Sequence, residues 1–130
     1  MTDYRDLDDL GLYLAFIKSV SIDYSERTVT VFMAKPYDTQ ESKRTYVETE
    51  LVLQDVRVMN FEQNLTDLEV PQFYRSAVLK EHPEYELNEE TVYYFGVDWG
   101  NEYCNWYFVA KSHQLSELTK PLGDELTWVN

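Results

Sequence analysis

The chain has 130 residues, which suits a single domain over residues 1–130 with an apolar core of its own. Its formal net charge is −13, from 24 acidic residues against 11 Lys and Arg. Because general affinity for nucleic acid and for anionic membranes depends on Lys and Arg, this charge argues against both partners. It favours a basic protein, whose approach such a field accelerates, unless the charge serves solubility alone.

The single cysteine, Cys104, excludes an intrachain disulfide and predicts a reducing, cytoplasmic location. The N-terminal residues MTDYRDLDDLG are acidic, whereas a signal peptide begins with positive charge. Apolar stretches are also far too short to span a bilayer, so we expect a protein that does not associate with membranes.

Alternating apolar residues predict a first β-hairpin. The segment before residue 24 mixes helical spacing with alternation, and we expect a turn up to about Tyr13 and then a strand over 15–24. The β-branched segment 28–34 is predicted to pair with it across a turn at 25–27. Residues 35–38 are expected to end the hairpin, because proline cannot donate to an inner ladder.

The next apolar segment, residues 44–61, changes its alternation halfway. Val47, Thr49, Leu51 and Leu53 share one parity, whereas Val56 and Val58 share the other. Since side chains in a strand alternate strictly, an extra residue must lie between the two groups. This predicts a bulge or bend near Gln54 and Asp55, or two strands with a tight break.

A helix is predicted over residues 70–81. Apolar side chains recur there at the i, i+3, i+4, i+7 and i+8 spacing of an amphipathic helix: Val70, Phe73, Tyr74, Ala77 and Val78. Pro71 suits the first turn and Pro83 would follow the end. We expect this helix to pack on one face of a sheet.

The segment 91–112 holds two of the three Trp and the only Cys, and it predicts a second hairpin. Strands over 92–97 and 104–110 would flank a turn at 98–101. Both faces of both strands are apolar or aromatic, so the hairpin is either covered on two sides or has one face left for a partner. A short helical turn and a covering segment are expected after residue 114. The predicted fold is α+β, mainly an antiparallel sheet of five or six strands with one helix.

Catalytic and cofactor motifs are absent from the sequence, and with four glycines phosphate-cradling loops are nearly excluded. Asp6, Asp8 and Gly11 resemble the start of a calcium loop, but other ligand positions hold Leu and Ile. His82 and His113 lack partner motifs and Cys104 lacks a neighbouring cation, so all three are interpreted as structural. We predict no enzyme activity, no catalytic residues, no metal and no cofactor.

The tip of the second hairpin has the composition of a binding site. Tyr and Trp dominate hot spots at protein interfaces, and carboxylates around them would suit a cationic partner. The predicted partner-binding residues are Asp98, Trp99, Glu102 and Tyr103. One alternative is a small-ligand or carbohydrate site, or a hydrolase, that uses the Trp99–Trp106 hairpin with Asp98 and Glu102 as its carboxylates. Another is a homo-oligomer whose aromatic face is its own interface.

Residues 15–60 resemble a loose group of small bacterial β-rich proteins, many without an assigned function. The resemblance lies in a first hairpin of the form Val20-x-Ile22-Asp23-Tyr24 … Thr28-Val29-Thr30-Val31, followed by the apolar strand Leu51-Val52-Leu53-x-Asp55-Val56. Some members of this group are similar to immunity proteins of contact-dependent or polymorphic toxin systems. The resemblance implies an inhibitor of a basic effector and assigns no functional residue.

Overall fold

A computed structural model describes residues 8–38, 45–61, 70–98 and 103–118. These ranges form one antiparallel sheet without a helix. The described residues therefore contain no helix long and apolar enough to cross a membrane. The strands are β1 (Phe16–Asp23), β2 (Thr28–Asp38), β3 (Thr45–Gln54), β4 (Val58–Asn60), β5 (Gln72–Leu79), β6 (Thr91–Asp98), β7 (Tyr103–Ala110) and β8 (Ser112–Glu117). The predicted α+β fold is therefore wrong: the described chain is all-β, with eight strands instead of five or six.

The sheet coils round on itself. Its strand order is β4-β7-β6-β5-β1-β2-β3-β8, yet the chain runs from β7 into β8 through Lys111 alone and from β3 into β4 through three residues. The outermost strands are thus continuations of inner ones. Between β1 and β5 the only ladder pair is Phe16 with Gln72, so most of this seam is open. The segment before β1 lines the β5 edge, where Leu14 N donates to Phe73 O over 2.7 Å.

The core fills the inside of the coiled sheet. Its largest fully buried side chains are aromatic: Trp106, Phe73, Phe95 and Phe108. The Trp106 ring lies edge-on to Phe73, with the ring centroids 5.9 Å apart, an arrangement that aromatic pairs favour. The predicted hairpin over 91–112 is present as β6 and β7, two inner strands that supply three of these four rings.

The predicted helix over 70–81 is strand β5. Its pairing with β6 shifts between Phe73 and Arg75, where one extra residue bulges out. Phe73 and Ser76 consequently lie opposite Val97 and Phe95, both core residues, so a spacing of three separates neighbours on one face. A bulged strand with apolar residues on both faces imitates the helical period, which explains the wrong prediction.

The predicted extra residue near Gln54 and Asp55 is confirmed, and it lies in a tight break between two strands, the second of the two predicted solutions. Gln54 pairs with Ser112 and Val58 with Val109, which is four steps along one strand against three along the other. Asp55 takes the extra position with a left-handed φ of 55°. As the change of alternation requires, the inward series from Val47 to Leu53 continues at buried Val56 instead of at residue 55.

The first hairpin is also confirmed, with β1 and β2 joined by residues 24–27. The Asp23 carboxylate holds the turn by accepting hydrogen bonds from the backbone N–H of Ser25 and Glu26, each 3.0 Å long. The hairpin ends as predicted, since its last pair is Phe16 with Ala34, but strand β2 itself continues to Asp38 as a partner of β3. Pro36 lies beyond the end of β1, where its missing N–H breaks no ladder bond on that side.

The helical turn predicted after residue 114 is wrong within the described chain. Residues 112–117 form strand β8 along β3. The expected covering segment at 119–130 lies outside the described residues.

Candidate partner-binding surface

The outside of β5, β6 and β7 carries a group of aromatic rings that we name the outer tyrosine face. Phe95 and Trp106 pair across β6 and β7 with their side chains in the core, so their neighbours Tyr94 and Tyr107 point outward. Ring contacts add residues from β5, from the β7 start and from the segment before β6. The face comprises Tyr74, His82, Tyr85, Tyr94, Tyr103 and Tyr107.

We call the part of the face formed by His82, Tyr85, Tyr94 and Tyr107 its lower half. The acidic segment, residues 80–90, lies across this half. The His82 ring is 4.7 Å from the Tyr85 ring and 5.0 Å from the Tyr107 ring, measured between centroids. A hydrogen bond with Tyr107 raises the pKa of the Tyr85 phenol, so this phenol stays protonated at neutral pH. The outward pair Val92 and Val109 is fully buried, which shows that this half of the face is covered.

Arg57 and Glu90 fix the end of the acidic segment. Arg57 Nη2 donates to Glu90 Oε1 over 2.7 Å, and Arg57 Nε donates to Glu90 Oε2 over 2.9 Å. Arg57 Nη2 also donates to the Glu86 carbonyl oxygen over 3.2 Å. These bonds lower the pKa of the Glu90 carboxyl and raise that of the Arg57 guanidinium, so the pair is ionised at neutral pH.

The remaining residues of the face, Tyr74 and Tyr103, form its upper half, and their packing depends on the missing side chain of Gly96. Arg75 lies flat over this glycine, and its Nη2 donates to Asn105 Oδ1 over 2.6 Å. A Cβ atom at Gly96 would be only 2.6 Å from Arg75 Cγ and 2.9 Å from Tyr74 Cε1. The missing side chain thus allows Arg75 to cross the strands, and Tyr74 packs edge-on against Tyr103 with the centroids 4.9 Å apart.

This arrangement suits the recognition of cations. Exposed carboxylates of Glu81, Glu84, Glu86 and Glu89 lie in the segment that carries His82 and Tyr85. Aromatic faces attract ammonium and guanidinium groups, and carboxylates bind them by charge-assisted hydrogen bonds. Arg57 is paired with the Glu90 carboxylate, whereas Arg75 donates to the neutral amide of Asn105 and keeps its positive charge over the Tyr74 ring. The attraction for a cationic partner therefore comes from the exposed carboxylates of segment 80–90.

The structure brings together two of the four predicted partner-binding residues. Asp98, at the end of β6, pairs with Tyr103, at the start of β7, and the Tyr103 side chain is 66% exposed. Trp99 and Glu102 lie outside the described residues. Trp106, part of the alternative ligand site, is 1% exposed and belongs to the core, so it cannot contact a ligand at the surface.

The remaining candidate residues have structural contacts. His113 Nδ1 lies 3.0 Å from the hydroxyl of buried Tyr93, and Cys104 is buried. The Asp8 carboxylate accepts from Leu12 N over 2.8 Å and from Ser76 Oγ over 3.1 Å, which ties the calcium-like segment to β5. Within the described ranges no three His, Cys, Asp or Glu side chains are grouped closely enough to hold a metal ion.

Sequence reasoning missed most of the outer tyrosine face. The alternation in β6 and β7 already separated Tyr94 and Tyr107 from Phe95 and Trp106, and this signal could have identified the outward pair. No sequence signal placed His82 and Tyr85 over these rings, because that contact depends on the path of the segment before β6.

No protein-family model, curated protein or solved structure matches this chain. Its function is therefore inferred from the chemistry of its surface.

Proposed function

We propose that this chain is a non-catalytic, cytoplasmic protein-binding domain whose outer tyrosine face engages a basic partner. The observation that carries the proposal is the combination of exposed carboxylates and aromatic rings on one face of a chain with net charge −13. Its most concrete form is an immunity-type inhibitor that covers the cationic active site of an effector such as a nuclease. The cytoplasmic location rests on the single cysteine, which is buried as a thiol.

The physical support comes from how interface residues share affinity and rate. Tyrosines bury large, rigid areas and dominate hot spots, whereas carboxylates at the rim mainly accelerate the encounter and select partners of positive charge. Arg57 ties the acidic segment down through Glu90 and the Glu86 carbonyl, which lowers the ordering cost of binding there. The exposed Tyr74–Tyr103 end supplies apolar area beside Asp98.

A capture experiment with matched variants tests the proposal. Wild-type chain, Tyr103→Ser and Tyr13→Ser are immobilised and exposed to lysate of the source cells at about 50 and 500 mM salt. Tyr13 is an exposed tyrosine outside the face, so its variant controls for general stickiness. We expect a basic protein that wild type and Tyr13→Ser retain, that Tyr103→Ser loses, and that high salt weakens.

Three results would count against this function. The variants could capture identical proteins, the captured protein could be acidic, or its retention could be indifferent to salt. Sedimentation of the purified chain distinguishes self-association: a dimer that Tyr103→Ser dissociates would assign the face to a second copy. If the captured protein is an effector, inhibition of its activity in a stoichiometric mixture checks the immunity role.

A further inference from the structure

We propose a second site, independent of the outer tyrosine face, that binds a small apolar monocarboxylate. A cavity of about 200 Å³ opens at the end of the coiled sheet that holds the β1–β2 turn. Its apolar walls are inward-facing side chains from β1, β2, the connection between β3 and β4, and β4 itself. They are Ile22, Val29, Val56 and Met59. It shares no residue with the outer tyrosine face.

The open seam explains why a cavity exists here. β5 does not pair with β1 beyond Phe16, so nothing in the ladder closes the sheet beside the far end of β1. Ile22 remains half-buried and Met59 is 38% exposed, whereas Val29 is 1% exposed. An apolar cavity of about 150 Å³ can accept a benzene-sized molecule, so this volume suits a single ring or a short acyl chain.

The rim of the cavity carries a guanidinium that a ligand can recruit. Arg27 Nη2 lies 3.4 Å from Asp55 Oδ1, and the two side chains are 64% and 51% exposed. Such an exposed, long ion pair contributes little and is easily exchanged for another carboxylate. The backbone of Arg27 is fixed, because its carbonyl accepts from Val56 N over 2.9 Å. The Arg27 backbone is therefore fixed at the rim, and its side chain lines the cavity beside the apolar walls.

The other charged groups at the rim are committed to the protein. Arg57 is held by Glu90 and contributes only a positive edge. The Asp23 carboxylate accepts three hydrogen bonds, two from Ser25 and one from Glu26, and remains tied to the turn. Arg27 is left as the partner for the carboxylate of a ligand, and the apolar part of the ligand occupies the cavity.

The test is a titration of the full chain with benzoate and octanoate, followed by NMR of methyl groups. We expect saturable shifts at Ile22, Val29, Val56 and Met59, and about tenfold weaker binding of the uncharged analogues benzyl alcohol and octanol. Arg27→Gln should weaken binding of the carboxylates about tenfold. Lys18→Gln removes one positive charge at the other end of β1 and should leave affinity unchanged. Met59→Trp should fill the cavity and abolish binding of all probes.

Several outcomes would overturn this site. They are the absence of saturable shifts, equal weakening by Arg27→Gln and Lys18→Gln, equal affinity for charged and uncharged probes, and full binding by a folded Met59→Trp. If Met59→Trp unfolds, the comparison of Arg27→Gln with Lys18→Gln still decides, since both side chains lie at the surface. Failure of this test leaves partner capture by the outer tyrosine face untouched, and the reverse also holds.

Discussion

Truncation of Tyr107 tests whether aromatic packing holds the acidic segment on the sheet. The Tyr107 side chain is mostly buried and contacts the rings of Tyr94 and His82, with centroids 5.6 and 5.0 Å away. Burying about two-thirds of a tyrosine removes about 130 Å² from water, worth about 3 kcal/mol at ~25 cal/mol per Å². Because unfolded chains already bury some surface, we expect Tyr107→Ala to destabilise the protein by about 2–3 kcal/mol.

Urea unfolding measures this loss, which corresponds to a fall of about 10 °C in Tm for a chain of this size. Native-state hydrogen exchange should also become faster across residues 80–92, while β2 and β3 keep their protection. Tyr24→Ala is the matched control: Tyr24 is 77% exposed, and its loss should change stability by less than about 0.5 kcal/mol. Equal effects of the two substitutions, or lost stability without faster exchange at 80–92, would show that aromatic packing does not hold the segment on the sheet.

Three further predictions concern single positions. Gly96→Ala should displace Arg75 from Asn105, and a shifted NMR signal of Arg75 Nε would show this. The free energy of unfolding should fall by only about 0–1 kcal/mol, because alanine also restricts the unfolded chain. Asp55→Val should destabilise by about 1–2 kcal/mol and Asp55→Gly by less than about 0.5 kcal/mol, since only the former resists a φ of 55°; urea midpoints would compare them. The pKa of Glu90 is lowered from 4.5, so its ionisation stabilises the fold above that pH and ceases to do so as pH falls through the lowered value. Thermal melts should therefore show wild type more stable than Glu90→Gln at pH 7, with the difference vanishing in acid.

Local sequence patterns predicted the two hairpins and the extra residue between β3 and β4. The change of alternation between Leu53 and Val56 required an extra residue, and Asp55 provides it. The same device in β5 misled the prediction, because there the bulge stands between Phe73 and Ser76 in a strand that is apolar on both faces. Alternation cannot distinguish this from a helix when the partner strand is unknown.

The candidate surface was predictable only at its tip. Asp98 and Tyr103 follow from the turn between two strands, which is a local feature. In the lower half of the outer tyrosine face, His82 and Tyr85 meet the ring of Tyr107, which follows them in the chain by more than twenty residues. Such contacts depend on how the sheet coils, and the coiling follows from the pairing of β3 with β8 and of β4 with β7.

The coiled sheet explains where a partner would bind. Each strand turns one face to the core, so the apolar residues on the other face of β6 and β7 must be covered or left for a partner. The outward pair Val92 and Val109, next to the end of the acidic segment, is fully buried. At Gly96 the strand is covered by the side chains of Arg75 and Tyr74, and beyond it Tyr103 is 66% exposed. Partner affinity should therefore respond to substitutions at Tyr103 more strongly than to substitutions at Tyr94, although both belong to the same face.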